Sequence, residues 1–428
     1  MRLLSSCVSS TPADAKGGLS PPRRAPPRPF SAITLPPGAF RIHHHQLAQR
    51  SAFRNIYLHD LRIPHPIRPY SDESLLTRPK SRHIHNAARH TGLQENDLTQ
   101  VAPRFAARSL APQPEGTDGL FSQTWFPVCR SDEVVAGQVQ GFDFLGGRVI
   151  VIRDDDGQAR VLSAYCPHMG ADLCTGEMID GTVRCPFHFW RYDADGRCIA
   201  TGSGDPTPPT ARLFAFPTAE RYGCIFAFNG ETPLFDIPDF PDAPKKLIWK
   251  TGEYDREMPA DPWVICCNTP DMQHIQVVHG ISFDNGMPHD RVEWTPHSMV
   301  YEFDGTMRDG SAIRFRVGIF GANIYWQDGY IDGRWFGFVA PMGLPRPGNS
   351  RLFFTVGVED DGSDPPAARE FLDAMYALEV HVATEDLPII EHARFKPGTL
   401  TRSDQTLARF LQYLRDYPRA HPSAAFIS

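Results

Sequence analysis

Apolar and polar residues alternate in five segments of the second half of this chain: Met299 to Phe303, Ala312 to Phe320, Ile324 to Trp326, Trp335 to Val339 and Arg351 to Val358. A period of two puts successive side chains on opposite faces of an extended strand, so these segments predict an antiparallel sheet. The period then changes. From Pro365 to Ala393, Phe371, Met375, Leu378 and Val382 recur at spacings of three or four, which predicts a helix with one apolar stripe. Nearer the N-terminus, Arg148 to Ile152 and Cys224 to Phe228 are rich in β-branched and aromatic residues and lie between turn signals, predicting a smaller antiparallel β domain. The fold class expected is therefore α+β.

Punctuation along the chain divides it. Order is expected to begin near Gly119, with Trp125-Phe126-Pro127-Val128 opening the β domain. That domain is expected to end near Pro238, inside the Pro-rich stretch Pro233 to Pro244. Residues 239–428 make the second domain, starting with Trp249 and carrying a helix near 265–280. Residues 1–118 are Pro- and Arg-rich and show no sustained period. Before residue 51 the only acid is Asp14, against Arg2, Lys16, Arg23, Arg24, Arg28, Arg41 and Arg50, a bias found in organelle transit peptides. The run Pro21 to Pro29 makes a poor amphipathic helix, so a translated upstream segment or a disordered tail is an equal reading. His43-His44-His45 is read as a solvated tract.

Composition narrows the class. Hydrophobic residues at 41% and charged residues at 22% are ordinary globular values. A net charge of −7 offers no basic footprint for nucleic acid. No run approaches the ~20 apolar residues of a membrane-spanning helix. The nine cysteines form no extracellular-style framework, and Cys266 and Cys267 are adjacent, poor partners for a bridge. A reducing, cytoplasmic home is expected, or an organelle if the leader is a transit peptide.

Two cysteine–histidine pairs carry the first piece of chemistry: Cys166-Pro167-His168 and Cys185-Pro186-Phe187-His188. One thiolate and one imidazole from each pair can hold a [2Fe–2S] cluster whose two irons take two sulfurs and two nitrogens respectively. Tetrahedral zinc also accepts two cysteines and two histidines, but zinc fingers pair cysteine with cysteine and histidine with histidine. The Gly and Pro beside the ligands suit loops whose backbone N–H groups fold over sulfur. A second group follows at Asn268, Asp271, His274 and His279, with carboxylates much later in Glu385-Asp386-Leu387-Pro388-Ile389-Ile390-Glu391. Two histidines and one carboxylate on one face of iron leave positions open for O2 and substrate. Asp271 and His274, three apart, share a helix face, where the carboxylate can bond the imidazole N–H that faces away from a metal. His274 and His279 are five apart, about 140° around an ideal helix, so their joint ligation requires a distorted or ending helix, for which Gly280 just beyond His279 is a C-terminal signal.

On these motifs, and on the run Cys185-Pro186-Phe187-His188-Phe189-Trp190-Arg191-Tyr192-Asp193, residues 119–428 resemble the α (oxygenase) subunit of Rieske-type non-haem iron aromatic ring-hydroxylating oxygenases, close to vanillate O-demethylase and ketosteroid hydroxylases. Respiratory Rieske proteins fit less well: where they carry an extra disulfide pair, this chain has Ala171 and Phe187. One departure within the oxygenases is Phe189, where Gly is common. The resemblance implies a Rieske domain followed by a helix-grip catalytic domain. It implies Cys166, His168, Cys185 and His188 as cluster ligands and His274, His279 and Asp386 as ligands of a mononuclear Fe(II). It also implies a catalytic role for Asp271, joining His188 of one subunit to His274 of the next in a homotrimer.

An iron centre that oxidises a C–H bond with O2 needs electrons from outside, and no dinucleotide fingerprint is present in this chain. A separate reductase, with or without a ferredoxin, is therefore expected to bring them from NAD(P)H. The expected reaction is hydroxylation or oxidative demethylation of an aromatic or polycyclic substrate. Dioxygenation, desaturation and a bare electron-transfer role are the alternatives. Phe283, Phe315, Phe320, Trp326, Phe336 and Phe354 are candidate pocket residues, although aromatic residues on strands are more often core. Arg314, Arg316 and Arg334 are either carboxylate binders or outward strand residues, the second being the commoner case.

Overall fold

The computed structural model describes residues 111–396 and 399–428. The expected leader therefore falls largely outside the described residues, and so does the His43-His44-His45 tract. Packing begins earlier than Gly119. Glu115 is buried, its carboxylate accepting from the amide and hydroxyl of Ser122 at 3.0 and 2.6 Å, while its own amide donates to Asp261 at 3.0 Å.

Three antiparallel sheets build the smaller domain. One joins Thr218–Arg221, Cys224–Phe228 and Trp125–Arg130; another joins Gln140–Phe144, Gly147–Arg153 and Ala159–Ser163. These two enclose Phe126, Val128, Phe144, Val149 and Ile225, all buried. The third runs Glu177–Ile179, Thr182–Arg184, Arg191–Tyr192, Cys198–Ala200 and carries a loop between its second and third strands. The C-terminus returns to this domain, which chain order alone did not suggest. Arg419–Ala420 pairs with Phe121–Ser122, and Ile427 is buried in the same core as Val149. Asn229 clamps the join, its Nδ2 donating to the carbonyls of Phe121, Ser122 and Ala420. The last residues of the expected 239–428 domain thus pack with its neighbour.

The larger domain is a seven-stranded antiparallel sheet ordered Leu247–Glu253, Asn349–Glu359, Arg334–Arg346, Ile324–Ile331, Ala312–Phe320, Ser298–Thr306, Glu293–Thr295. Its five central strands contain the five alternating segments. The two outermost, Leu247–Glu253 and Glu293–Thr295, are largely part-buried or exposed, and their patterning was too weak to predict. Alternation divides the sheet between two cores: Tyr301, Phe315, Phe338 and Phe354 face the helices, whereas Trp326, Trp335 and Phe353 face Trp125, Phe228 and Phe240 of the smaller domain and linker.

The helices are α1 (Pro262–Cys266), α2 (Met272–Val277), α3 (Pro365–His392), α4 (Gln405–Asp416) and α5 (Ala424–Ile427). The single helix expected near 265–280 is instead the pair α1 and α2. Asp271 starts α2 as its N-cap, and the chain after it turns through Gly280 at φ 67°. Helix α3 starts at Pro365 behind an Asp364 cap that accepts from Ala367 N–H at 3.1 Å, and it lies across the sheet with Leu372, Met375, Leu387 and Ile390 inward. No helix among the described residues is long and apolar enough to cross a membrane.

Candidate functional site

The two cysteine–histidine loops share one backbone design. In the first, Gly170 N–H donates to Cys166 C=O at 2.8 Å and Cys166 N–H to Ala171 C=O at 2.9 Å; in the second, Phe189 N–H donates to Cys185 C=O at 3.1 Å and Cys185 N–H to Trp190 C=O at 2.8 Å. The fourth residue after each cysteine is left-handed, Gly170 at φ 73° and Phe189 at φ 57°. That conformation is one Gly takes freely and Phe takes at a cost. Phe189 is 52% exposed and lies under the guanidinium of Arg184, 4.9 Å from ring centroid to Cζ.

Burial separates the ligand types. Cys166 and Cys185 are buried and face each other, while His168 and His188 are exposed with ring centroids 4.6 Å apart. Trp190 stacks on His168 at 4.4 Å. The hydroxyl of buried Tyr192 is 3.0 Å from Cys166 Sγ. Burial pushes the Cys166 thiol up, against hydrogen bonds from Tyr192 and from the His168 amide that favour the thiolate. Two sulfurs inside, two imidazoles outside and donors aimed at sulfur fit a cluster with one thiolate-held and one imidazole-held iron.

His274, His279 and Asp386 come together although more than a hundred residues separate the histidines from the carboxylate, and their potential ligand atoms lie within 4.8 Å of one another. Nε2 of His274 is 2.8 Å from Asp386 Oδ1, and Nε2 of His279 is 3.4 Å from Oδ2. Each Nδ1 is held from behind: that of His274 by the Asn268 carbonyl at 3.2 Å, that of His279 by Glu385 Oε2 at 2.9 Å. Those acceptors fix the proton on Nδ1 and leave both Nε2 lone pairs directed at one point. Asn268 Nδ2 donates to Asp386 Oδ2 at 2.9 Å, and Arg308 pairs with Glu385 at 3.4 Å. Burial pushes the Asp386 carboxyl up, but the two imidazoles outweigh it and hold it at about 2. A carboxylate and two imidazole nitrogens converging on one point would favour a metal cation at their centre.

Asp271 does not bond the His274 ring as the helix spacing suggested. Its Oδ1 accepts the backbone amide of His274 at 3.1 Å, capping α2, and the ring nitrogen goes to Asn268 instead. The sequence motif contained Asn268 and Glu385 without revealing these tasks.

A cavity, partly open to solvent, lies over the His/His/Asp group. Of the six aromatic residues proposed for it, Phe315 and Phe354 line it; Phe283 and Phe336 are core, and Phe320 and Trp326 pack on the other face of the sheet. Phe303, Tyr301, Tyr325 and Phe338 also contribute walls. The three arginines are outward strand residues: Arg314 pairs with Asp304 at 2.7 Å, Arg316 with Asp242 at 3.1 Å, and Arg334 stacks on Phe371.

The Rieske [2Fe-2S] domain family matches residues 124–215. Cholesterol 7-desaturase of Bombyx mori is 33% identical over 187 residues, 43% of this chain and 39% of that protein. The oxygenase component of 3-ketosteroid-9-alpha-monooxygenase from Mycobacterium tuberculosis is 30% identical over 166 residues, 37% of this chain and 43% of that one. The matches thus span about two fifths of these relatives. Crystalline dicamba monooxygenase bound to dicamba superposes with a TM-score of 0.54 at 17% identity, over 69% of this chain and 97% of its own, which shows a shared fold. Residues 124–215 are therefore a Rieske [2Fe-2S] domain, and the chain that carries it is a relative of the oxygenase components of Rieske non-haem iron oxygenases.

Proposed function

We propose that this protein is a Rieske oxygenase that uses O2 and reductase-supplied electrons to hydroxylate or oxidatively demethylate an aromatic or polycyclic organic molecule. The observation that carries the reading is the convergence of His274, His279 and Asp386 on the wall of a largely apolar cavity, in a chain that also holds the Rieske loops. When bound, the cluster would supply single electrons and the mononuclear iron would activate O2 against a C–H bond.

The chain's own residues prepare both sites. Cys166 and Cys185 would hold one cluster iron and His168 and His188 the other, with Tyr192 and the His168 amide donating to sulfur. Asn268 and Glu385 hold the imidazoles of His274 and His279 by Nδ1 and so orient Nε2. The apolar walls limit water around the reacting carbon and leave an organic substrate few alternative poses.

Electron delivery is assigned to a homotrimer. Among the described residues, no hydrogen bond or ring contact joins the two Rieske loops to residues 268–279 of the same chain. Yet Met169, Phe187 and Phe189 beside the cluster loops and Val277 on α2 are exposed apolar side chains. Packing the first group of one subunit onto the second of the next would cover both and set Asp271 between His188 and His274. A separate reductase, with or without a ferredoxin, would draw on NAD(P)H, and the cytoplasm is the compartment that suits reduced thiolate ligands.

Desaturation is the second reading, favoured by the likeness to a cholesterol 7-desaturase. Purified protein should contain about three irons per chain with both sites filled, and Asp386→Ala should keep the visible Rieske spectrum while losing the mononuclear iron. Product analysis under ¹⁸O2 with a surrogate reductase separates the reactions, since label enters a hydroxylated product and stays out of a desaturated one. Absence of mononuclear iron, or of oxygen consumption with every electron source and compound tried, refutes the assignment.

A further inference from the structure

The polar lining of the cavity includes the His/His/Asp group with Asn268, then Thr269 and Tyr301, whose hydroxyl donates to the Thr269 carbonyl, and a line of three side chains, Tyr325, Gln327 and Glu379. Tyr325 and Gln327 stand two residues apart on one face of the strand Ile324–Ile331, and Glu379 faces them from α3. Gln327 and Glu379 are only 5% and 7% exposed. The Tyr325 hydroxyl donates to Gln327 Oε1, and Gln327 Nε2 donates to Glu379 Oε1 at 3.0 Å.

Two capacities are left over. The second carboxyl oxygen of Glu379 takes part in no hydrogen bond among the described residues, and the Tyr325 oxygen, having spent its proton, still has lone pairs. Burial pushes Glu379 up to about 8, so near neutral pH its carboxyl carries a proton and can donate it in a hydrogen bond. Glu379 and Asp386 lie on the same face of α3, seven residues apart, with Val382 and Ala383 lining the cavity between them. At 1.5 Å per residue that separation is roughly 10 Å along the axis. No Lys or Arg lines this cavity. Away from the iron site, a substrate carboxylate would therefore meet no cationic side chain, and its burial there would be unfavourable.

We propose that Tyr325, Gln327 and Glu379 form a recognition subsite for one neutral oxygen, a hydroxyl or a ketone, on a rigid and otherwise apolar ring system whose opposite end is held at His274, His279 and Asp386. This rests on the cavity being the substrate site, and it deepens that reading by choosing neutral alcohols and ketones over aromatic carboxylates.

The test measures binding by calorimetry to the iron-loaded protein without reductase, so it is independent of turnover. The probes are fused ring systems of two, three and four rings, each as parent hydrocarbon, alcohol, ketone and carboxylic acid. The alcohol or ketone of at least one skeleton should bind about tenfold tighter than its parent, the worth of one good hydrogen bond, and the carboxylates should bind weakest. Gln327→Met, close in shape, and Tyr325→Phe, which removes one hydroxyl, should each reduce that preference toward one while the parent hydrocarbon still binds. The Rieske visible spectrum reports that each variant is folded. A preference that survives both variants, equal binding of alcohol and parent, tightest binding of a carboxylate, or no binding by any probe would overturn the subsite. Failure of the oxygenase reading shows separately, as missing mononuclear iron or missing oxygen consumption.

Discussion

Glu385 Oε2 lies 2.9 Å from Nδ1 of His279, on the side of the ring away from Asp386, so adjacent carboxylates of α3 grip opposite nitrogens of one imidazole. Removing the outer grip frees the ring to rotate and to change tautomer. Glu385→Ala is expected to weaken mononuclear iron binding by about 10–100-fold and leave the Rieske spectrum unchanged. Iron titration of the apo-protein, followed by the metal's own spectroscopic signal, checks this; unchanged affinity would remove Glu385 from the site.

The left-handed Phe189 gives a prediction with two arms. Phe189→Ala keeps the strained backbone and loses the contact with Arg184, worth about 0.5–1 kcal/mol. Phe189→Gly loses the same contact but releases about 1–2 kcal/mol of left-handed strain, part of which the entropy of Gly takes back. The Gly variant should therefore be the more stable of the two by about 1 kcal/mol, measured by denaturant unfolding of the Rieske domain. The reverse order would mean that the ring makes contacts beyond Arg184.

Asp271 is expected to separate a structural task from an electronic one. Asparagine caps a helix as well as aspartate, so Asp271→Asn should leave stability nearly unchanged, whereas Asp271→Ala should cost about 1 kcal/mol. If Asp271 also couples subunits, the Asn variant retains both metals yet transfers electrons more slowly in single-turnover experiments. Wild-type transfer rates in a fully loaded Asn variant would restrict Asp271 to capping.

Glu379 makes stability depend on pH. Its folded value, about 8, lies above its ordinary 4.5, because burial disfavours the charge more than the Gln327 hydrogen bond and the charge on His279 favour it. Folding therefore binds a proton at this group. Its contribution is fully present below pH 4.5 and is lost as pH rises to about 8. Wild type should lose stability relative to Glu379→Gln over that window, by an amount of order a few kcal/mol. Urea midpoints of the two proteins at pH 5 and pH 9 measure the difference, in which ionisations common to both cancel. A gap that does not change with pH would show that Glu379 titrates normally.

The five strand segments and α3 were legible because a buried face imposes its period on neighbouring residues. The strand ends were less so: Trp335 to Val339 proved to be only the first part of Arg334–Arg346, since both faces of that strand are buried and the residues that continue it do not alternate. The outer strand Leu247–Glu253 and the return of Arg419–Ala420 to Phe121–Ser122 escaped notice because what holds them is a partner strand distant in sequence. Helix α1–α2 was misread as continuous because the Asp271 cap was assigned to an imidazole.

What the sequence determined by itself was the inventory of candidate ligands. Cys166-Pro167-His168, Cys185-Pro186-Phe187-His188 and the pair His274 and His279 are local arrangements, in which covalent spacing already limits which atoms can meet. Only the tertiary structure decided which nitrogen of each imidazole faces inward, which aromatic residues see the cavity, and that Gln327 meets Glu379. Those contacts join residues 118, 106 and 52 positions apart for Asn268–Asp386, His279–Glu385 and Gln327–Glu379. At such separations no local spacing constrains the pair. Sheet register and the seating of α3 select the partner, and both are set by the packing of the whole core.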